Sequence, residues 1–300
     1  MSFKKETPLA NAVFWAARKG NLALLQLLLN SGRVDSDCRD SYGTTALMVA
    51  SYSGHLDCVK ELIMHGADIN YQRDTGSTAL FFASQQGHND IVKLLFEFGA
   101  STEFQTKDGG TALTVASQYG HSKVVSTLLK HGANVHDQLN DGATPLFLAA
   151  QEGHVHVIRQ LLSSGAKVNQ AREDGTSALW MAAQMGHGEV VRVLLLRGAD
   201  RDADRQDGST ALFKAALKGH NSVIEELLKF SPSVGLLKNG STALHAAVMG
   251  GNIRTVVLLL GANADPTLPN KNNELPADLT KSDRILKVLH PSKSILGGDS

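Results

Sequence analysis

Apolar residues along this chain fall into paired bursts that recur at a long, regular interval. In residues 144–165 the first burst reads Leu146-Phe147-Leu148-Ala149-Ala150, and the second holds Val155, Val157, Ile158, Leu161 and Leu162. Both keep the spacing of one helix face, so the pattern predicts two short helices. Thr144-Pro145 supplies a hydroxyl N-cap followed by proline at the first helical position. Gly153 stops the first helix, and Gly165 suits a left-handed C-cap for the second. The polar stretch that follows carries Asp174-Gly175, a hairpin signal. One such segment cannot bury its apolar face alone, whereas stacked copies can.

The copies are present. Gly-His recurs at Gly54-His55, Gly87-His88, Gly120-His121, Gly153-His154, Gly186-His187 and Gly219-His220, in steps of 33 residues. Nine residues before each glycine stands a hydroxyl: Thr45, Thr78, Thr111, Thr144, Ser177 and Thr210. The period extends forward through Thr242 with Gly251-Asn252 to Leu275, and backward to Asn11 with Gly20-Asn21. This gives eight full repeats and a degenerate ninth.

The pattern D-G-x-T-A-L-x-x-A-x-x-x-G-H-x-x-V-x-x-L-L-x-x-G-A-x-x-N resembles the ankyrin repeat over roughly residues 11–290. The resemblance implies an all-α repeat fold, an α-solenoid of helix-turn-helix pairs joined by β-hairpin tips. The expected organisation is an N-terminal extension (1–10), a single repeat domain (11–290) closed by a degenerate capping repeat, and a flexible tail (291–300). Two departures stand out. Ser231-Pro232 replaces the usual Gly-Ala after the seventh repeat, and an irregular or bent junction is expected there. Asn263 takes the glycine place in the eighth, a residue that tolerates the left-handed conformation.

Composition narrows the function. Lys plus Arg and Asp plus Glu both number 29, so the net charge is zero, which argues against a dedicated nucleic-acid binder. The basic pairs Lys4-Lys5 and Arg18-Lys19 are too few to change that. Apolar residues make up 42%, enough for a sizeable core. Cys38 and Cys58 are the only cysteines and form no C-x-x-C pair, so a reduced, cytoplasmic location is expected, with the nucleus as the alternative. The opening M-S-F-K-K-E-T-P lacks a secretory apolar core, and runs such as Val256 to Leu260 fall far short of a membrane span. No membrane insertion, cofactor or metal is expected, and the chain is expected to act as a monomer.

Catalytic motifs are missing too: no phosphate-binding glycine loop, no H-E-x-x-H and no nucleophile elbow occurs. The protein is therefore expected not to be an enzyme. Six of the twelve histidines are the repeating Gly-His, about 10 Å apart in a helix stack and too far apart to share a metal. Each is expected to bond backbone near the turn between its helices. A large side chain recurs three residues after the cap at Phe14, Met48, Phe81, Phe147, Trp180 and Phe213, where the family usually has histidine; only His245 keeps it. Core packing against the next repeat is the expected role. The alternating charges from Arg201 to Asp207 read as a solvated hairpin tip.

The resemblance directs a search for partners to the hairpin tips and the inner helix face. The seventh and eighth residues after each cap there include Tyr52, Gln85, Gln86, Gln118, Tyr119, Gln151, Glu152, Gln184 and Met185. Glutamine amides both donate and accept, which suits a polypeptide backbone or polar protein surface, and tyrosine and methionine suit interfaces. The same residues also make an ordinary solvated helix face. The expected function is a non-catalytic interaction scaffold or adaptor for a protein partner. The alternative is an inhibitor or regulator that occludes one enzyme or transcription factor, and an activity assay on the captured partner separates the two. Resemblance adds one candidate modification. Ankyrin domains are substrates of an asparaginyl hydroxylase, and Leu62, Asp68, Ile69 and Asn70 match its pattern, with Asn70 the residue modified.

Overall fold

The computed structural model describes residues 7–290. The expected tail 291–300, the Lys4-Lys5 pair and the first six residues of the expected extension lie outside the described residues. Among the described residues every continuous element is helical; the hairpin tips are turns, with isolated bridges at Arg39–Thr45 and Asp204–Thr210. The β-hairpin expectation thus reduces to tight turns. A typical tip closes with Thr106 N–H donating to the Gly110 carbonyl at 2.8 Å and Gly109 N–H to the Thr106 carbonyl at 2.9 Å. Lys107 N–H then reaches the Thr75 carbonyl of the preceding tip at 2.9 Å, so these two tips join by a single backbone bond rather than a strand ladder.

The chain forms two compact units, one of residues up to 149 with 156–166, the other of 150–155 with residues from 167 onward. The first contains the pairs Pro8–Lys19 and Leu22–Asn30, Ala46–Ser53 and Leu56–Met64, Ala79–Gln86 and Asn89–Glu97, and Ala112–Gln118 and Ser122–Lys130. The second contains Ala178–Met185 and Gly188–Leu196, Ala211–Lys218 and Asn221–Leu228, and Ala243–Met249 and Ile253–Gly261. It closes with a 3-10 turn, Pro276–Leu279, and the short helix Asp283–Leu289. In that ninth repeat Leu275 stands where other repeats have a hydroxyl cap, and the first helix shrinks to the single turn.

The repeating hydroxyls cap as the pattern predicts. Thr78 Oγ1 accepts from Phe81 N–H at 3.2 Å and Ser177 Oγ from Trp180 N–H at 3.1 Å. The first repeat departs. Its helix begins at Pro8 and is capped by Thr7, whose Oγ1 accepts from Ala10 N–H at 3.1 Å; Asn11 lies inside the helix. Residues 8–10 therefore belong to the repeat rather than to an extension. The reason is local: Thr7-Pro8 is the same cap-and-proline pair as Thr144-Pro145, and it starts the helix earlier.

Each unit buries its own core. Alanines on the first helices, such as Ala83 and Ala116, are fully buried and let helices approach, while Leu62, Ile91 and Leu95 fill the layer behind. The recurring large side chain divides. Met48, Phe147 and Trp180 are buried, as the core role requires, but Phe14, Phe81 and Phe213 are only half-buried. His245 and Trp180 make equivalent bonds. His245 Nε2 bonds the Glu274 carbonyl at 2.9 Å, and Trp180 Nε1 donates to the Ser209 carbonyl at 3.2 Å, each 29 residues onward.

Both sequence departures show in the backbone. Ser231 and Asn263 take left-handed conformations, with φ of 52° and 66°. The tip after Ser231 keeps its closing bond, Leu237 N–H to the Ser241 carbonyl at 2.8 Å, so the expected irregularity is concentrated in one strained serine. A left-handed non-glycine residue costs about 1–2 kcal/mol, and in a repeat array a weak junction lets the terminal segment open first. We expect amides of residues 230–290 to exchange faster than those of 167–229. Ser231→Gly should slow that exchange by stabilising the segment by about 1 kcal/mol. Equal protection on both sides of Ser231 in the native protein would contradict this.

Candidate functional site

The last turns of five first helices are held by the histidine of the next repeat. In the first unit His55 Nε2 bonds the Arg18 carbonyl at 3.0 Å, His88 Nε2 the Tyr52 carbonyl at 3.0 Å and His121 Nε2 the Gln85 carbonyl at 2.8 Å. In the second unit His187 Nε2 bonds the Gln151 carbonyl and His220 Nε2 the Gln184 carbonyl, both at 2.9 Å. The expected backbone contact of the Gly-His residues thus runs between repeats rather than within one. It satisfies carbonyls that a helix end leaves without intrahelical partners. The C-cap glycine permits it: at Gly87 (φ 77°) an added Cβ would lie 2.6 Å from the His121 ring.

These locks stack the last turns within each unit and fix the candidate residues. In the first unit Tyr52 and Tyr119 are 48% and 51% exposed, Gln86 is exposed, and Gln85 and Gln118 are half-buried. The Tyr52 ring meets Phe82 edge-on at 6.1 Å, which holds it without covering it. In the second unit Glu152 and Met185 are exposed, with Gln151 and Gln184 half-buried. The structure therefore brings Tyr52, Gln85, Gln86, Gln118 and Tyr119 together in one unit, and Gln151, Glu152, Gln184 and Met185 in the other.

Asn70 sits between tips of the first unit. Its Nδ2 donates to the Gly99 carbonyl and its Oδ1 accepts from Ser101 N–H, both at 3.1 Å. Asn169 makes the same pair of bonds to Gly198 and Asp200 in the second unit. Asp37, at the equivalent place in the preceding repeat, accepts from Asp68 N–H at 2.9 Å. Its carboxyl is pushed above the ordinary range, by burial first and by neighbouring Asp35 and Asp68. The residue thus clips one repeat to the next.

The alternating charges reach further than a solvated tip would. Lys238 Nζ pairs with Asp204 at 3.1 Å, and Asp202 Oδ1 accepts from Ser233 N–H at 2.8 Å. Both cysteines are buried and neither forms a disulfide, and burial beside Asp57 pushes Cys58 up to about 12. Among the described residues no cluster of three metal-ligating side chains occurs, and no helix is long and apolar enough to cross a membrane.

One feature escaped the sequence reading. Two adjoining hollows, of about 330 and 540 Å³, open in the first unit, and both are lined by Arg18, Thr44, Val49 and Arg73. Arg73 lies on a hairpin 55 residues after Arg18, so only the folded stack brings them to one place.

A helix-pair repeat closed by tight tips and locked by Gly-His defines an ankyrin-type protein, and comparison agrees. The family model for ankyrin repeats (3 copies) matches residues 4–73, 67–139, 133–203 and 179–270. The chain belongs to the ankyrin-repeat family. It is 92% identical to ankyrin repeat domain-containing protein 29 of Danio rerio over 96% of this chain and 97% of the relative. It is 88% identical to the Homo sapiens protein of that name over 96% of each. Among solved structures, the human ASB11 ankyrin repeat domain superposes with a TM-score of 0.67 at 30% identity, covering 75% of this chain and 97% of that one. Ankyrin repeats are generally protein–protein interaction modules, and proteins of the family are typically non-catalytic.

Proposed function

We propose that the protein is a non-catalytic interaction scaffold, an adaptor that binds a protein partner through the last turns of its first helices and the adjoining hairpin tips. The supporting observation is the histidine lock. It fixes the backbone carbonyls of Tyr52, Gln85, Gln151 and Gln184, so this part of the face is preorganised and little ordering is required on binding. The exposed Tyr52, Tyr119 and Met185 add amphipathic area of the kind found at interfaces. The buried thiols suit a reducing compartment, the cytoplasm or the nucleus.

The test uses one variant per unit: Gln85→Glu, Gln118→Glu and Tyr119→Glu together, and Gln151→Glu, Gln184→Glu and Met185→Glu together. Tyr119 and Met185 are exposed and the four glutamines half-buried, all outside the core, where substitutions cost about 0.5 kcal/mol each, so both variants should fold, and their melting temperatures check it. Added carboxylates must be desolvated at a contact, so capture of partners from cells should fall more than tenfold in at least one variant. Undiminished capture by both would contradict the proposal. Asn70 supplies the regulatory element of this reading. Hydroxylation at Asn70 requires its two bonds to the next tip to open, and local opening is easier near an array end. Co-expression with the hydroxylase should add one oxygen to the peptide spanning Asn70, and an unmodified peptide would exclude it.

A further inference from the structure

The two hollows among the first three repeats make one recess with unsatisfied positive charge. Arg73 Nε is buried and has no hydrogen-bond partner, and its guanidinium carbon lies 5.9 Å from the ring centres of both Tyr42 and Phe82. Neither Arg18 nor Arg73 forms an ion pair among the described residues. A guanidinium held against aromatic rings with no acidic partner keeps its charge uncompensated, and an acceptor entering the recess that it lines would offset that. The guanidinium fork of arginine matches a planar carboxylate better than any other protein cation does.

The surroundings select among anions. Asp40 also lines the recess, with its Oδ1 accepting from the backbone N–H groups of Tyr42 and Thr44 at 2.9 Å. Two guanidinium groups against one carboxylate leave a surplus of one positive charge. A singly charged carboxylate balances it, whereas a doubly charged phosphate would leave excess negative charge beside Asp40. The walls are apolar and aromatic: Trp15, 49% exposed, on one side, Tyr52 and Phe82 on the other. They suit an apolar side chain next to the acid.

We propose that this recess binds an extended segment of a protein partner at an aspartate or glutamate flanked by an apolar side chain. The proposal rests on the reading of this face as a partner surface and names the chemistry at one point of it. Arg18 and Arg73 hold the carboxylate, and Trp15, Tyr52 and Phe82 enclose its apolar neighbour.

The probe is a displayed random-peptide library selected against the full chain. Enriched peptides should carry Asp or Glu beside Leu, Ile, Phe or Trp. Arg18→Gln and Arg73→Gln should each weaken a selected synthetic peptide by about tenfold, the scale of a lost charge-assisted hydrogen bond. Changing the peptide's acid to its amide should do the same in the native protein and nothing further in the double arginine variant. Binding should alter tryptophan emission in the native protein and not in Trp15→Phe. Unchanged melting temperatures of the arginine variants separate lost binding from lost folding. Enrichment of neutral peptides, or affinities indifferent to both arginines, would overturn the proposal. If those affinities instead fall with the Gln85, Gln118 and Tyr119 replacements, the partner face stands and only the acid-binding recess fails. Arginine-dependent self-association in sedimentation would also overturn it, by assigning the recess to a second copy of the chain.

Discussion

Gly87→Ala should destabilise the protein by roughly 3 kcal/mol, while Gly99→Ala, twelve residues onward, should cost only about 1 kcal/mol. Both glycines end helices in the left-handed region, with φ of 77° and 94°. Their difference lies in what a new methyl would meet. At Gly99 nothing lies within 4 Å, so backbone strain is the whole cost. At Gly87 the Cβ would stand 2.6 Å from His121 Nδ1, and the ring cannot retreat without losing its 2.8 Å bond to the Gln85 carbonyl. Strain, a steric clash and a lost inter-repeat bond then add. Urea-unfolding midpoints measure both costs, and a cycle with His121→Ala isolates the clash. The double variant should cost at least about 1 kcal/mol less than the sum of its parts. Equal midpoint shifts for Gly87→Ala and Gly99→Ala would show that the histidine does not lock the repeats.

The caps at Thr45 through Thr210 and the helix pairs behind them were legible because each depends on residues within one turn. Where a stronger local alternative existed, the long period misled: at the first repeat it pointed to Asn11, and Thr7-Pro8 starts the helix instead. The Gly-His motif was legible as a landmark but not in its role. The carbonyl that His121 meets belongs to Gln85, 36 residues earlier, and no local spacing carries that pairing. Arg73 was illegible for the same reason. On a hairpin it reads as one more solvated charge, and its environment comes from Tyr42 and Phe82 on separate segments. The tips were legible as chain reversals, since D-G between polar residues signals a reversal whether strands or only turns flank it.

Trp180→Ala should cost about 4 kcal/mol, the range of large aromatic truncations in a core, and Trp180→Phe about 1–2 kcal/mol. Trp180 is 1% exposed and packs inside the second unit. Truncation to alanine removes the ring and leaves a cavity that helix backbones cannot close. It also removes the platform for Arg205, whose guanidinium carbon lies 4.4 Å from the ring centre, with Lys214 Nζ at 5.7 Å. Asp174 sits 3.6 Å from Arg205 and 2.6 Å from Arg172, and the Arg172 hydrogen bond holds its carboxyl well below the usual range. Phenylalanine keeps most of the ring, as Phe147 does at the equivalent place, but loses the N–H that reaches the Ser209 carbonyl at 3.2 Å. The two substitutions therefore separate volume from hydrogen bonding. Phe81→Ala is the control at the same repeat position, and its half-buried ring should lose about half as much as Trp180→Ala. Denaturant midpoints read all three. If Trp180→Phe cost as much as Trp180→Ala, the N–H bond rather than the ring would hold this repeat to the next. If Trp180→Ala cost no more than Phe81→Ala, the ring would not be part of the core.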